Sequence, residues 1–105
     1  MDSKQYEVDG TTFRVSVLET TSPGTVLSRK DGLMEDMVTV AEEDGVDQVL
    51  FFLVDILNEE AILFVPNDLV KSVAEKSFGV TVRGDLVSLP GVVSRKKQII
   101  PALKV

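Results

Sequence analysis

The residues best suited to chemistry form one short basic segment near the carboxyl end of the chain. It consists of Ser94, Arg95, Lys96, Lys97 and Gln98. Three cations stand side by side there, although the whole chain carries a net charge of −6. Arg supplies a planar fork of donors and Lys a compact point charge, and both bind phosphate oxygens. Because Ser is a good helix N-cap and helix N-termini attract anions, the segment predicts a phosphate or pyrophosphate site. A solvated basic tail is the alternative.

The conformation of this basic segment has two interpretations. Pro101 limits any helix that begins at Ser94, because proline inside a helix costs about 3 kcal/mol. Either residues 94–100 form one short helix, or residues 94–97 are extended and a helix begins near residue 100. Both arrangements present Arg95 and Lys96 to an anion.

Asp55 is a second candidate, because it follows the continuous apolar run of residues 49–54. Such a run predicts a central strand covered on both faces. Ligands of open α/β sheets bind beyond the carboxyl ends of the strands. Asp55 therefore predicts either a ligand or interdomain contact, or a strand terminator whose carboxylate accepts hydrogen bonds from the following turn.

Composition limits the classes of function. A chain of 105 residues builds one domain with a single core. The net charge of −6 argues against binding to nucleic acid or an anionic membrane. No apolar run approaches the ~20 residues of a membrane span, and the polar start shows no signal peptide. Cysteine and histidine are both absent. We expect a cytoplasmic protein, and we expect the acidic residues 42–44 to be a solvated helix end.

The first half of the chain predicts a hairpin, a helix and a parallel strand. Residues 4–8 and 11–18 alternate as strands around an Asp-Gly turn of the I′ type, which sets Tyr6 opposite Phe13. A helix capped by Ser22 begins at Pro23 and ends at Gly45, with a bend or break expected at Gly32. A right-handed crossover then places residues 49–54 parallel to the second strand.

The second half predicts a strand, a helix and another hairpin. Residues 61–65 form the strand, and residues 68–77 the helix, capped by Asn67 or Asp68. Lys71 and Glu75 are spaced as an exposed i,i+4 pair. Residues 80–83 and 86–89 are expected to pair around a two-residue II′ turn. The resulting fold class is α/β: a single domain with a mixed β-sheet of about six strands and helices packed on its faces.

Three segments resemble a known family. Residues 91–103, which read GVVSRKKQIIPAL, resemble the C-terminal signature of the manganese-dependent (family II) inorganic pyrophosphatases, members of the DHH phosphoesterase superfamily. Residues 2–6, which include Lys4, are similar to the Asp-x-Lys-x-aromatic opening of that family's C-terminal domain. Residues 54–57 are similar to its Thr-Asp-Ile segment, with Val54 in place of Thr. The resemblance covers nearly the whole chain and only that one domain of the family.

The resemblance implies that residues 1–105 are a DHH-associated substrate-binding domain without the catalytic DHH domain. The parent enzyme would hydrolyse diphosphate to two phosphates, with manganese or magnesium held by Asp and His residues of the absent domain. This chain has no His and is expected to bind no metal and to be inactive alone. The implied substrate-binding residues are Arg95, Lys96, Ser94 and Lys97; the implied structural or interdomain residues are Asp55, Lys4 and Gln98.

Two other functions remain open at this point. One is an exopolyphosphatase-like domain of the same superfamily, in which a longer polyphosphate occupies the site. The other is an interaction module with no substrate. The partners expected from the resemblance are a pyrophosphate or phosphate anion and the DHH domain of the parent chain. A homodimer is left open, and neither nucleic acid nor membrane is expected.

Overall fold

The computed structural model describes residues 4–8 and 10–89, which form a mixed sheet with helices on both faces. Five strands are hydrogen-bonded there in the order β1-β2-β3-β4-β5. The α/β class and the mixed sheet are therefore confirmed. The strands are β1 Lys4–Val8, β2 Thr11–Thr20, β3 Gln48–Asp55, β4 Glu60–Phe64 and β5 Leu86–Ser88; the helices are α1 Pro23–Leu27, α2 Lys30–Asp44 and α3 Asp68–Phe78.

The first hairpin has the predicted register. β1 and β2 are antiparallel, with Tyr6 opposite Phe13 and Val8 opposite Thr11. Gly10 has a φ of 81°, the left-handed conformation that the second position of a I′ turn requires. Because side chains alternate across a strand, Phe13 and the residue two positions later, Val15, share one buried face of β2.

β2 and β3 are the parallel pair that the crossover predicted. Their register runs from Phe13 opposite Gln48 to Thr20 opposite Asp55. Thr12 and Asp47 join the two strands just before this register begins. The Thr12 nitrogen donates to the Asp47 carboxylate at 2.9 Å, and the Asp47 nitrogen donates to the Thr12 hydroxyl at 3.0 Å. The amino ends of both strands are thereby fixed.

The sheet divides the single core that chain length predicted into two apolar cores on its opposite faces. One is covered by α3 and is built around Phe13, Phe52 and Leu63, none of which is exposed. The other is covered by α1 and α2 and contains Leu53 and Phe64. β3 contributes alternate residues to both cores, so the run of apolar residues 49–54 is explained by burial on both faces. No helix in the described part of the chain is long and apolar enough to cross a membrane.

The break in the first helical region differs from the prediction. α1 ends at Leu27 and α2 begins at Lys30, so the chain turns at Ser28–Arg29 and Gly32 lies inside α2. The Arg29 nitrogen bonds the Val26 oxygen three residues back at 3.0 Å, which tightens the last turn of α1. Arg29 itself leaves the helical conformation, with φ −110° and ψ 19°.

The prediction is correct for the residues that begin and end this helical region, Pro23 and Gly45. It is wrong for the N-cap, Ser22. α1 begins at Pro23, but the Ser22 side chain makes no capping hydrogen bond. The Ser22 nitrogen instead bonds the Thr20 hydroxyl at 2.9 Å. Gly45 ends α2 in the left-handed conformation, with a φ of 69°, as a helix C-cap glycine does.

The predicted second hairpin is wrong, and with it the count of about six strands. Residues 80–83 are not in a strand, and β5 pairs antiparallel with β4, with Leu63 opposite Val87. The physical reason is a competing partner on α3. The Val82 nitrogen donates to the Glu75 carboxylate at 3.2 Å, and Val82 is buried against α3 rather than placed beside β5.

Candidate functional site

Asp55 closes β3 with a carboxylate that is fully engaged by its own turn. Its Oδ1 atom accepts from the nitrogens of Leu57 at 3.1 Å and Asn58 at 3.2 Å. Its Oδ2 atom accepts from the Asn58 side-chain amide at 2.7 Å. The residue is only 4% exposed. An aspartate that binds amides two and three residues ahead is typical of an Asx turn, so this geometry redirects the chain from β3 into β4.

The last described strand, β5, ends at the same end of the sheet as Asp55, a few residues before the basic segment in sequence. β3 and β5 are both antiparallel to β4, so they run in the same direction and their carboxyl ends lie at the same edge. The Leu89 nitrogen, just beyond β5, bonds the Ala61 oxygen at 3.0 Å. Leu89 is five positions before Ser94. The carboxyl ends of the parallel strands are the ligand-binding end of an open α/β sheet.

An exposed apolar tip marks this same end. Leu57 is 71% exposed and Ile56 is 45% exposed, although both are large and apolar. The Ile56 nitrogen is held by the Thr20 oxygen at 3.0 Å. Glu59, at the end of this turn, has a positive φ of 52°, which non-glycine residues seldom adopt. The turn is thus fixed at its base and displays Leu57 outward.

Lys4 lies well away from Asp55. It is the first residue of β1 and stands opposite Val15, whereas Asp55 stands opposite Thr20 at the far end of β2. Five residues along a strand correspond to about 16 Å, so the two backbones are at different levels of the sheet. The structure does not bring Lys4 and Asp55 together. Ser94, Arg95, Lys96, Lys97 and Gln98, with the predicted helix near them, lie outside the described residues and stay predictions.

The acidic end of α2 is partly neutralised by the sheet. The Arg14 guanidinium of β2 forms an ion pair with the Asp44 carboxylate. Among the residues that the structure describes, no cluster of three or more Asp, Glu, His or Cys side chains is arranged to hold a metal ion. The chain also contains no His and no Cys, which leaves carboxylates, the ligands that suit manganese, as its main side-chain donors for a metal ion.

A second ion pair, which was not predicted from the sequence, joins α2 to the bend before β5. Lys30 Nζ lies 2.7 Å from Asp85 Oδ2. The hydrogen bond from Lys30 lowers the pKa of Asp85, and the same hydrogen bond raises the pKa of Lys30. The two residues are 55 positions apart in the sequence, so local spacing could not predict the pair.

The fold defines an α/β domain. Its candidate ligand-binding edge lies at the carboxyl ends of β2, β3 and β5, which run in the same direction. Comparison with protein families gives a more specific result: the DHHA2 domain family matches residues 1–105. The chain belongs to the DHHA2 domain family.

Known relatives agree with this assignment. The chain is 34% identical over 104 residues to a "probable manganese-dependent inorganic pyrophosphatase" of Lactobacillus johnsonii, covering 98% of this chain and 33% of that protein. It is 37% identical over 102 residues to the protein of the same name from Lactiplantibacillus plantarum, again covering 33% of the relative. The crystal structure of a Methanococcus jannaschii protein described as a "putative family II inorganic pyrophosphatase" superposes with a TM-score of 0.75 at 32% identity, over 97% of this chain and 33% of that one. The chain thus spans about a third of the length of these relatives.

Proposed function

We propose that this chain is the substrate-binding domain of a manganese-dependent inorganic pyrophosphatase, which hydrolyses diphosphate to two phosphates. The observation that carries the proposal is the match over 98% of the chain to relatives that bear this enzyme's name. Those relatives are about three times longer, so the proposal assigns this chain one part of the enzyme. The proposal also favours pyrophosphate over a longer polyphosphate, because the matched relatives are named for the shorter substrate.

The proposed role of the basic segment is to hold the phosphates. Arg95 and Lys96 bind terminal phosphate oxygens and offset the charge that develops on the transferred phosphoryl group. Ser94 caps the local backbone or donates a hydrogen bond, and Lys97 adds positive potential. Gln98 fixes the local turn. Because the chain carries a net charge of −6, this segment has to act as a local positive island for an anionic substrate.

The direction of β5 supports this placement. β5 ends at the carboxyl-terminal edge of the parallel strands, six residues before Ser94. Asp55 lies at the same edge, but its two oxygens are already occupied by the turn of residues 56–58. We therefore assign Asp55 a positioning role for that turn. The proposed partner for this edge is the DHH domain of the parent protein.

Manganese does not fit the residues that the structure describes. The chain offers no His or Cys, and its described carboxylates do not converge into a cluster. We therefore assign metal binding to the DHH domain of the parent protein, and no step of the proposed role of Arg95 and Lys96 passes through a metal ion.

The test is a pyrophosphate titration of the isotope-labelled chain at low salt, following the backbone amides of residues 94–98. We expect saturable shifts that the double variant Arg95→Ala/Lys96→Ala abolishes. The matched control is Arg29→Ala/Lys71→Ala, which removes the same two types of charge from α2's start and from α3. The control should retain the shifts, because it removes the same net charge but leaves the basic segment intact.

Three results would separate the functions. Equal weakening by both double variants would mean that the chain binds anions only through its overall charge, and it would overturn the assignment to Arg95 and Lys96. Tighter binding of a long-chain polyphosphate than of pyrophosphate, per binding site, would favour the exopolyphosphatase-like domain. An absence of shifts both with the isolated chain and with the DHH domain and manganese supplied would favour an interaction module.

A further inference from the structure

A groove of about 360 Å³ opens between α2 and the sheet. Its floor is formed by β2 and β3 and its wall by one face of α2, where residues three, four and eight positions apart line up. The lining consists of Arg14 and Ser16 of β2, Val49 and Phe51 of β3, and Leu33, Asp36, Met37, Val40 and Asp44 of α2.

Ser16 is the unusual residue of this groove. It is only 7% exposed, and its hydroxyl has no hydrogen-bond partner among residues 4–8 and 10–89. A buried hydroxyl without a partner is unfavourable by about 1–3 kcal/mol. The groove that Ser16 lines also has apolar side chains of α2 and β3 in its lining, among them Met37, Val40 and Phe51. The hydroxyl is therefore a polar group in an apolar groove that a ligand can satisfy.

The charges of the groove favour a cation. Arg14 and Asp44 neutralise each other at one end through their ion pair. Asp36 lies eight positions before Asp44, about 12 Å away along α2. Within the described part of the chain, Asp36 forms neither an ion pair nor a hydrogen bond, and its carboxylate is exposed. The groove thus has one net negative charge at the end opposite the ion pair.

We propose that this groove binds a small amphipathic organic cation, a molecule with an apolar body and one ammonium group. The apolar body packs on Met37, Val49 and Phe51. The ammonium donates a hydrogen bond to the Ser16 hydroxyl and lies in the negative potential of Asp36. A volume of about 360 Å³ is within the range of small-molecule pockets. This proposal is independent of the phosphate site, because it is argued only from residues 14–51, none of which belongs to the basic segment.

The test is a titration of the isotope-labelled 105-residue chain with 4-phenylbutylamine, following the amides of the lining residues. We expect saturable shifts with a Kd on the order of 1 mM for a probe of this size. The carboxylate 4-phenylbutyrate has the same apolar body and the opposite charge. We expect it to bind about tenfold more weakly or not at all.

Two pairs of variants locate the binding. Ser16→Ala should weaken the amine about threefold to tenfold, because one hydrogen bond is lost. Ser72→Ala, a matched change on the exposed face of α3, should leave the Kd unchanged. Asp36→Asn should weaken binding at least threefold at low salt, whereas Asp68→Asn at the start of α3 should not. Asp36 is exposed, so its variant remains informative even if Ser16→Ala changes the stability of the fold.

The proposal is overturned by any of three results: no saturable shifts in the groove, equal binding of the amine and the carboxylate, or equal Kd values for Ser16→Ala and Ser72→Ala. Shifts at residues 94–98 with pyrophosphate have no bearing on these outcomes, so the two sites succeed or fail separately.

Discussion

The carboxylate of Asp55 holds Asn58 twice. Oδ1 accepts from the Asn58 backbone nitrogen at 3.2 Å, and Oδ2 accepts from the Asn58 side-chain nitrogen at 2.7 Å. Together with the bond from Leu57 at 3.1 Å, these contacts close the turn between the central strand and β4. The turn at the candidate ligand edge is therefore shaped by one buried carboxylate.

Replacing that carboxylate should destabilise the domain. We expect Asp55→Ala to lower the free energy of unfolding by about 2–3 kcal/mol, because three hydrogen bonds to a charged, buried acceptor are lost. Asn58→Ala should cost about 1 kcal/mol, because only the side-chain bond is removed. Urea unfolding measures both. Asp36→Ala, at an exposed position of α2, is the control and should change stability by less than about 0.5 kcal/mol. If Asp55→Ala resembled this control, the carboxylate would have a role other than holding the turn.

Glu75 should matter more than its predicted helical partner. Its carboxylate accepts from the Val82 nitrogen at 3.2 Å and so holds a buried loop residue against α3. We expect Glu75→Ala to destabilise the domain by about 1–2 kcal/mol. Lys71→Ala should cost only a few tenths of a kcal/mol, roughly the value of an exposed i,i+4 pair. Comparable losses in the two variants, measured by thermal unfolding, would show that the helical pair is the stabilising contact after all.

The Lys30–Asp85 pair should make stability depend on pH at both extremes. The pKa of Asp85 is lowered from about 3.8, so its contribution is present above that value and lost as the pH falls through the folded-state pKa. The pKa of Lys30 is raised from about 10.5, so its contribution is present below that value and lost as the pH rises through the folded-state pKa. We therefore expect Asp85→Asn to lower Tm at pH 7 and to match the unmodified chain in strong acid.

Salt supplies the control for this pair, because both side chains are accessible to solvent and their interaction is screened. The Tm difference between the two chains at pH 7 should shrink in 1 M salt. A difference that persisted in acid or in high salt would have to come from something other than the ion pair.

Asn67 should prove to be the cap of α3, in preference to Asp68. The Asn67 side-chain oxygen accepts from the Val70 nitrogen at 3.0 Å, which satisfies one free amide of the first turn. We expect Asn67→Ala to cost about 1 kcal/mol. Asp68→Ala should cost about 0.3–1 kcal/mol, the value of an acidic residue near a helix N-terminus. Chemical denaturation of the two variants ranks them, and the reverse order would contradict the assignment of the cap.

Local spacing predicted those parts of the fold that local chemistry determines. The Asp-Gly turn fixes the register of the first hairpin, so Tyr6 opposite Phe13 follows from turn length alone. Burial on both faces leaves a continuous apolar run, which identified the central strand. Gly45 ends α2 as predicted, because the left-handed conformation suits glycine.

The error in the second hairpin arises because partners outside the predicted pair of strands decide the outcome. Residues 80–83 alternate like a strand. In the structure, however, the Val82 nitrogen donates to the Glu75 carboxylate, and Val80 and Val82 pack in the core that α3 covers. Leu86 and Val87 pair with the edge of β4 that β3 leaves free. No neighbouring residue predicts this pairing with a strand about 20 positions earlier. The candidate groove escaped prediction for the same reason, because Ser16 and Asp36 become neighbours of one surface only when α2 packs over β3.

The order of events in folding follows from the parallel pairing at the centre of the sheet. Thr12 and Asp47, which join the amino ends of β2 and β3, are 35 residues apart. β3 meets β4 through a short turn, so that hairpin closes a small loop, whereas β2 has to close a much longer one at greater entropic cost. Long-range closures of this kind slow folding. We therefore expect the β3–β4 hairpin to form early, and the pairing of β2 with β3 to form later, together with its whole crossover.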